Sequence, residues 1–133
     1  MTHVSRRRFD QLVERALLRI PRHFREAMVN IAIVVEDEPD EDLLDEMDLG
    51  ADDTLYGLYQ GTPLVERTWA EGNRLPDQIT LYQLPLEADS IDQEDLTVAI
   101  AETLIHEIGH YFGLSEEEIE AIEARFWRGE EMK

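Results

Sequence analysis

The chain has 133 residues, 43% of them hydrophobic, which suits one globular domain (residues 1–133) around a single core. Its formal net charge of −19 argues against a nucleic-acid partner, because phosphate backbones are bound by clustered Lys and Arg. It has no cysteine, which excludes disulfides, thiolate zinc sites and cysteine nucleophiles and leaves His, Asp and Glu as candidate metal ligands.

The N-terminal part of the chain predicts two helices and a strand. Ser5 can cap a first helix that runs to about Arg19, and Pro21 can open a second helix that runs to about Met28. Residues 31–35 carry β-branched side chains on both faces. This pattern predicts a strand that is buried on both sides.

The first helix also has to be compared with an export signal, because Ser5-Arg6-Arg7-Arg8-Phe9 resembles a twin-arginine motif. An export signal needs an uncharged apolar region next, and charged residues interrupt it here. Apolar residues recur instead at the spacing of a buried helix face: Phe9, Leu12, Val13, Ala16, Leu17 and Ile20. We therefore expect a mature helix and a cytoplasmic protein. No apolar stretch approaches the length of a membrane span.

Residues 36–53 form a strongly acidic segment, with eleven acidic residues and no basic one. One interpretation is a cation-binding or partner-binding loop. A solvated loop that like charges keep extended is favoured, because the segment lacks the spacing of a calcium-binding loop.

The middle of the chain predicts short strands. Residues 55–59 read as a strand, 60–63 as a turn and 64–67 as a return strand. Residues 78–83 alternate apolar and polar side chains, as a half-exposed strand does, and Pro85 ends this strand.

The C-terminal part predicts two further helices. Ser90 or Asp92 can start a long helix over residues 93–112, and Gly113 can end it in a left-handed turn. The sequence Ser115-Glu116-Glu117-Glu118 matches a capping box that opens a last helix to about Trp127. Helices at both ends with strands between them predict an α+β fold.

The long predicted helix carries His106-Glu107-Ile108-Gly109-His110. Residues four apart lie on the same helix face, so His106 and His110 can share one metal ion. Glu107 can hold the water that the metal polarises and take its proton, which is why this spacing recurs in zinc hydrolases. Gly109 lies in the middle of the predicted helix, where glycine is destabilising, so we expect a packing or functional reason for its presence. The simplest such reason is close contact between the helix and a strand.

A catalytic zinc needs three protein ligands and one open position. Glu116 is the leading third ligand, because a turn at Gly113 would bring it back towards the histidines. An acid at a helix N-terminus also has a purely structural explanation in the helix dipole. Glu117 and Glu130 are the rivals, the latter separated from His110 by nineteen residues and lying in a charged tail. The other two histidines, His3 and His23, are expected on the surface.

The sequence from His106 to Glu116 resembles the H-E-x-x-H-x-x-G-x-x-D signature of the small bacterial zincin-like metallopeptidases, also called minimal metzincin-like proteins. Residues 34–39, 55–64 and 76–82 are similar to that family's other segments. The resemblance implies an α+β, zincin-like fold with a small mixed sheet packed against the active-site helix and flanking helices. It also implies Zn²⁺ held by His106, His110 and position 116, with Glu107 as the general base.

Two departures from the family pattern stand out. Position 116 is Glu where the family usually has Asp, and the only methionine after the motif, Met132, lies in a charged tail that makes a poor methionine turn.

The leading interpretation is a monomeric peptidase that binds an extended peptide or protein substrate along the strand at residues 79–83. One alternative is a non-catalytic zinc-binding or partner-binding protein on the same fold. Another is a regulatory protease of the antirepressor-cleaving kind.

Overall fold

A computed structural model of the chain describes residues 2–47, 55–61 and 77–127. The helices and strands of this part are, in order, α1 (Arg6–Leu17), α2 (Arg22–Ala27), a 3₁₀ turn (Met28–Asn30), β1 (Ala32–Glu36), α3 (Glu41–Glu46), β2 (Gly57–Gln60), β3 (Gln78–Tyr82), α4 (Gln83–Ala88), α5 (Gln93–Phe112) and α6 (Glu116–Trp127). The predicted α+β class is confirmed.

Helix α1 is the helix that the N-terminal apolar spacing predicted. Ser5 caps it by accepting a hydrogen bond from the Arg8 amide at 3.1 Å, and its apolar face is buried in the core against α5. It ends at Leu17 and not at Arg19, because the last amides bond three residues back and tighten the final turn. Across the described ranges, no helix has both the length and the apolar character that a membrane crossing needs.

The sheet is mixed, with the strand order β1-β3-β2. Strand β1 runs parallel to β3, with Ala32 opposite Gln78, and β2 runs antiparallel to β3, with Gly57 opposite Leu81. The resemblance implied a small mixed sheet, and the structure has one.

The burial predicted for the two longer strands was wrong in both cases. Strand β1, predicted to be buried on both sides, is an outer strand with partly or fully exposed side chains. Strand β3, predicted to be half-exposed, is the middle strand: Ile79 and Leu81 are buried on one face and Thr80 and Tyr82 on the other. The position in the sheet decides burial, and alternation along one strand does not reveal that position.

The prediction that the substrate binds along the strand at residues 79–83 was also wrong. Substrate addition along residues 79–83 would need a free edge on β3, but β1 and β2 already bond to its two sides. The strand ends at Tyr82 because α4 begins at Gln83. Pro85 then lies in the first turn of that helix, where an amide donor is not needed, so Pro85 does not end the strand.

The acidic segment is not a loop throughout, because α3 occupies part of it. Glu41 and Asp42 lie in the first turn of α3, where the helix dipole favours negative charge. Residues 48–53 of the segment lie outside the described residues, as do the predicted return strand at 64–67 and the tail with Glu130 and Met132.

Candidate metal centre

Helix α5 carries the paired histidines and has the predicted bounds. Of the two candidate caps, Asp92 is the one used: its side chain accepts a hydrogen bond from the Asp95 amide at 2.8 Å. Gly113 ends the helix in the left-handed region with φ 73°, as predicted. Leu104, Ile105 and Ile108 are fully buried, so the segment that bears the histidines is fixed in the core.

The turn after α5 folds the chain back along the same helix. The Leu114 amide donates to the Gly109 carbonyl at 3.0 Å, which closes the turn around Gly113. The predicted capping box is confirmed: the Ser115 hydroxyl accepts from the Glu118 amide, and the Glu118 carboxylate accepts from the Ser115 amide. Helix α6 therefore starts beside the histidines.

Gly109 lets α6 lie close against α5. A Cβ at this position would lie 2.6 Å from Cγ1 of Ile119, which is fully buried on α6. The suggested helix–strand contact was therefore wrong, since the close neighbour is another helix. This contact sets how near the acids of α6 come to the histidines of α5.

Four side chains converge at the junction of the two helices. His106, Glu107 and His110 each offer one ligand atom, and these three atoms lie within 4.8 Å of one another. The carboxylate of Glu116 lies against both rings, with Oε2 3.6 Å from His106 Nε2 and Oε1 3.5 Å from His110 Nε2. Of the two proposed third ligands that the structure describes, Glu116 and Glu117, Glu116 is the one whose carboxylate lies against the two imidazoles.

These separations test whether the residues fit a zinc ion. Two ligand atoms that are each 2.0–2.2 Å from a tetrahedral ion lie roughly 3.3–3.6 Å apart. Each Glu116 oxygen lies at the upper end of that range from one imidazole, Oε1 at 3.5 Å from His110 Nε2 and Oε2 at 3.6 Å from His106 Nε2. Two nitrogens and one carboxylate are also a donor set that catalytic zinc sites use. The residues therefore fit the metal.

The remaining histidines lie elsewhere, as expected. His3 is exposed and pairs with Glu87, while His23 is exposed and packs edge-on against Phe24. Neither contributes to the cluster on α5.

Glu107 is buried, with 9% of its surface exposed, and β2 holds it. The Tyr59 amide donates to Glu107 Oε1 at 2.8 Å. Burial raises the pKa of the Glu107 carboxyl, and the Tyr59 hydrogen bond and the positive charges that His110 and His106 can carry oppose the rise. The sequence gave no sign of this contact, since the donor is a backbone amide from a distant strand.

A cavity of about 300 Å³ opens beside His106 and Glu107. It is lined by Leu55, Tyr56, Gly57, Glu102, Thr103, His106, Glu107 and Glu123. Burial raises the pKa of the Glu102 carboxyl to about 7, with further contributions from the negative charges of Glu123 and Asp95.

Sequence reasoning missed two acids of this cavity, Glu102 and Glu123. A signal for Glu123 existed: it follows Glu116 by seven residues, so the two acids share one face of α6. Glu102 precedes His106 by four residues on α5 and could have been found by the same periodicity.

Residues 28–126 match the family model of the zincin-like metallopeptidases. The chain belongs to this family. The match covers the sheet, all of α5 and nearly all of α6, so it includes every element that builds the cluster. No curated protein sequence matches the chain. The family predicted from the motif is confirmed, and membership implies a metal cofactor, which in zincins is typically zinc.

Proposed function

We propose that this zincin-like protein is a zinc-dependent peptidase. His106, His110 and Glu116 would hold the zinc ion, and Glu107 would act as the general base. The observation that carries the proposal is the convergence of the Glu116 carboxylate on both Nε2 atoms, with a Glu107 oxygen alongside them. A bound zinc ion supplies Lewis acidity, which polarises a carbonyl oxygen and eases the deprotonation of water.

The environment of Glu107 supports its role as the base. The Tyr59 amide holds Oε1, and within the described residues no group donates to Oε2. One oxygen therefore fixes the carboxylate while the other is left to accept a proton from water. The raised pKa of the Glu107 carboxyl lies closer to neutral pH than that of an ordinary carboxyl. A general base is most effective when its pKa is near the working pH.

The strand next to the cluster supports an extended peptide as the substrate. Strand β2 bonds to β3 on one side, and in the described part of the chain its other side faces α5, where the Tyr59 amide meets Glu107. Backbone groups two residues apart on a strand point the same way, so Gly57 also faces this side, at the wall of the cavity. An extended peptide that paired with Gly57 would pass beside Glu107. This geometry supports a substrate bound along β2 and not along β3.

Zinc analysis and a peptide-library digest test the proposal together. We expect about one zinc per chain after reconstitution, and cleavage of library peptides that a chelator abolishes. A chain that takes up no zinc would overturn the proposal. A chain that takes up zinc, completes its coordination with a fourth protein ligand and cleaves nothing would favour the non-catalytic alternative. The monomeric state, the cytoplasmic location and the single-domain organisation stay predictions.

A further inference from the structure

The second ring nitrogen of His106 has its own partner. Nδ1 of His106 lies 3.2 Å from Oε1 of Glu123, a residue that neither the sequence motif nor the proposed ligand set includes. The Glu123 side chain is largely buried, with 24% exposed, whereas that of Glu116 is 63% exposed. The two acids therefore approach the same ring from different sides, Glu116 at Nε2 and Glu123 at Nδ1.

Helix packing fixes the position of Glu123. Glu116, Ile119 and Glu123 are spaced along one face of α6, and the Ile119 side chain packs where Gly109 leaves room on α5. Both acids are thus held at His106 by the same helix–helix contact. Glu123 is placed by the fold, and not by the chance orientation of a surface side chain.

This arrangement determines which nitrogen of His106 can bind a metal. A neutral imidazole carries one proton, on Nδ1 or on Nε2, and only the unprotonated nitrogen offers a lone pair. A carboxylate is an acceptor, so it favours the proton on the nitrogen that it faces. Glu123 lies 3.2 Å from Nδ1, within hydrogen-bond distance, whereas Glu116 lies 3.6 Å from Nε2, beyond that distance. The proton is therefore favoured on Nδ1, which leaves the lone pair on Nε2, on the side of His110.

We propose that Glu123 is a positioning residue that fixes the Nδ1-protonated tautomer and the ring orientation of His106 and so preorganises Nε2 as a metal ligand. The proposal rests on the zinc site of the proposed function. It predicts an asymmetry between the two histidines, because within the described ranges no side chain bonds to Nδ1 of His110. Carboxylates that bond to a ligating histidine in this way typically contribute tenfold to hundredfold in metal affinity.

Two measurements on the full chain test this inference. The first is zinc affinity, measured by competition with a chelator of known affinity. We expect Glu123→Ala to weaken binding by about tenfold to hundredfold. Glu123→Gln should regain most of the affinity, because its amide oxygen accepts the same hydrogen bond. The matched control is Glu120→Ala, an exposed acid on the same helix, which should bind zinc as the wild type does.

The second measurement is the tautomer of each histidine in the metal-free chain, read from ¹⁵N chemical shifts at a pH where both rings are neutral. We expect the wild type to show His106 protonated on Nδ1 and His110, whose Nε2 is the nitrogen that faces Glu116, without that preference. In Glu123→Ala, the proton of His106 should shift towards Nε2. A purely structural acid would leave the tautomer unchanged. If the alanine variant does not fold, Glu123→Met carries both measurements, because it keeps the length of the side chain and removes the acceptor.

Wild-type affinity and an unchanged His106 tautomer in Glu123→Ala would overturn the inference, and so would zinc bound directly to Glu123. Neither readout needs peptide hydrolysis. A chain that cleaves nothing but loses zinc affinity on Glu123→Ala would therefore overturn the peptidase while supporting the role of Glu123. A chain that binds no zinc would still report the tautomer.

Discussion

Two buried carboxylates, Glu87 on α4 and Glu107 on α5, have different sets of hydrogen-bond partners. Glu87 on α4 is 1% exposed and accepts hydrogen bonds from the N-terminal segment and from its own helix. The Val4 amide donates at 2.7 Å and the Gln83 side chain at 3.2 Å, while His3 Nδ1 lies at 3.1 Å. This carboxylate ties the start of the chain to α4.

Glu107 on α5 is almost as buried, yet among the described residues its one hydrogen-bond donor is the Tyr59 amide. Its carboxylate otherwise lies near two imidazoles and the cavity. A buried acid with a full set of donors is a structural element, because its desolvation is compensated. A buried acid with an unoccupied oxygen is available for proton transfer. The comparison teaches that the hydrogen-bond partners, and not burial alone, separate the two roles.

Replacing each acid by its amide is the strongest test of this comparison. Glu107→Gln should lower the hydrolysis rate by about 10²–10⁴-fold, because the amide cannot take a proton. It should keep the fold and the bound zinc. Glu87→Gln is the matched control and should keep the rate within a few-fold. Single-turnover kinetics with a library-derived peptide measures both variants. Equal losses in the two would show that the rates report damage to the fold, and an unchanged Glu107→Gln would remove Glu107 from the mechanism.

The next prediction concerns the acid that completes the site. Glu116→Ala should weaken zinc binding by more than the roughly tenfold to hundredfold expected for losing a hydrogen-bonding partner of a ligand, because it removes a ligand. Glu117→Ala, its exposed neighbour on α6, should change zinc affinity little. Chelator competition measures both. If Glu116→Ala and Glu117→Ala bind zinc equally well, Glu116 is not the third ligand. Glu130 would then be the remaining candidate from the sequence.

A third prediction tests the structural acid. Glu87→Ala should lower the free energy of unfolding by about 2–4 kcal/mol, because it leaves buried donors of Val4 and Gln83 without an acceptor. Urea denaturation of the metal-free chain measures this. Glu26→Ala, which breaks an exposed pair with Arg22, should cost at most about 0.5 kcal/mol. A comparable loss in both variants would mean that the bonds to Glu87 are not what stabilises this region.

The sequence could predict the helix that carries the site because its signals are local. The cap at Asp92, the glycine at Gly113 and the capping box at Ser115 all act within a few residues of chain. The four-residue spacing of His106 and His110 follows from helix geometry alone.

The partners of the site could not be predicted in the same way. Tyr59 reaches Glu107 through a backbone amide forty-eight residues earlier in the chain, and any residue in that strand position would donate equally well. The burial of β3 likewise depends on two strands that lie on either side of it only after folding. Strand order is a property of the assembled sheet, so hydrophobic alternation predicted the strand at residues 78–82 but not its surroundings.

Helix contact at Gly109 supplies a fourth prediction. Gly109→Ala should destabilise the chain by about 1–3 kcal/mol, because the new Cβ would overlap Ile119 and the overlap outweighs the gain in helix propensity. It should also weaken zinc binding by moving the acids of α6 away from α5. Combining Gly109→Ala with Ile119→Val, which removes a methyl group at the contact, should restore part of the stability and part of the zinc affinity. A more stable Gly109→Ala variant with wild-type zinc affinity would show that the two helices need no glycine between them.

Glu102 separates the effect of burial from that of hydrogen bonding, because within the described residues it is half-buried and has no hydrogen-bond donor. Its folded-state pKa is raised from 4.5 to about 7, by burial first and then by the charges of Glu123 and Asp95. The folded chain therefore holds this proton between pH 4.5 and about 7, where the unfolded chain has lost it. Stability contributed by the protonated form is present below pH 4.5 and is lost as the pH rises to about 7.

Glu102→Gln should remove this loss. Its advantage in stability over the wild type should be absent near pH 4, below the unfolded pKa of 4.5, and complete near pH 8, above the folded pKa of about 7. We expect an advantage of about 1 kcal/mol at the higher pH, well below the full value of the shift, because solvent screens a half-exposed group. Denaturation of the metal-free chain across this pH range measures it, with the exposed Glu120→Gln as the control that should follow the wild type. A constant difference between Glu102→Gln and the wild type at every pH would mean that the folded and unfolded chains bind this proton equally. In that case partial burial would cost a carboxylate nothing here, and the contrast between Glu87 and Glu107 would have to rest on hydrogen bonds alone.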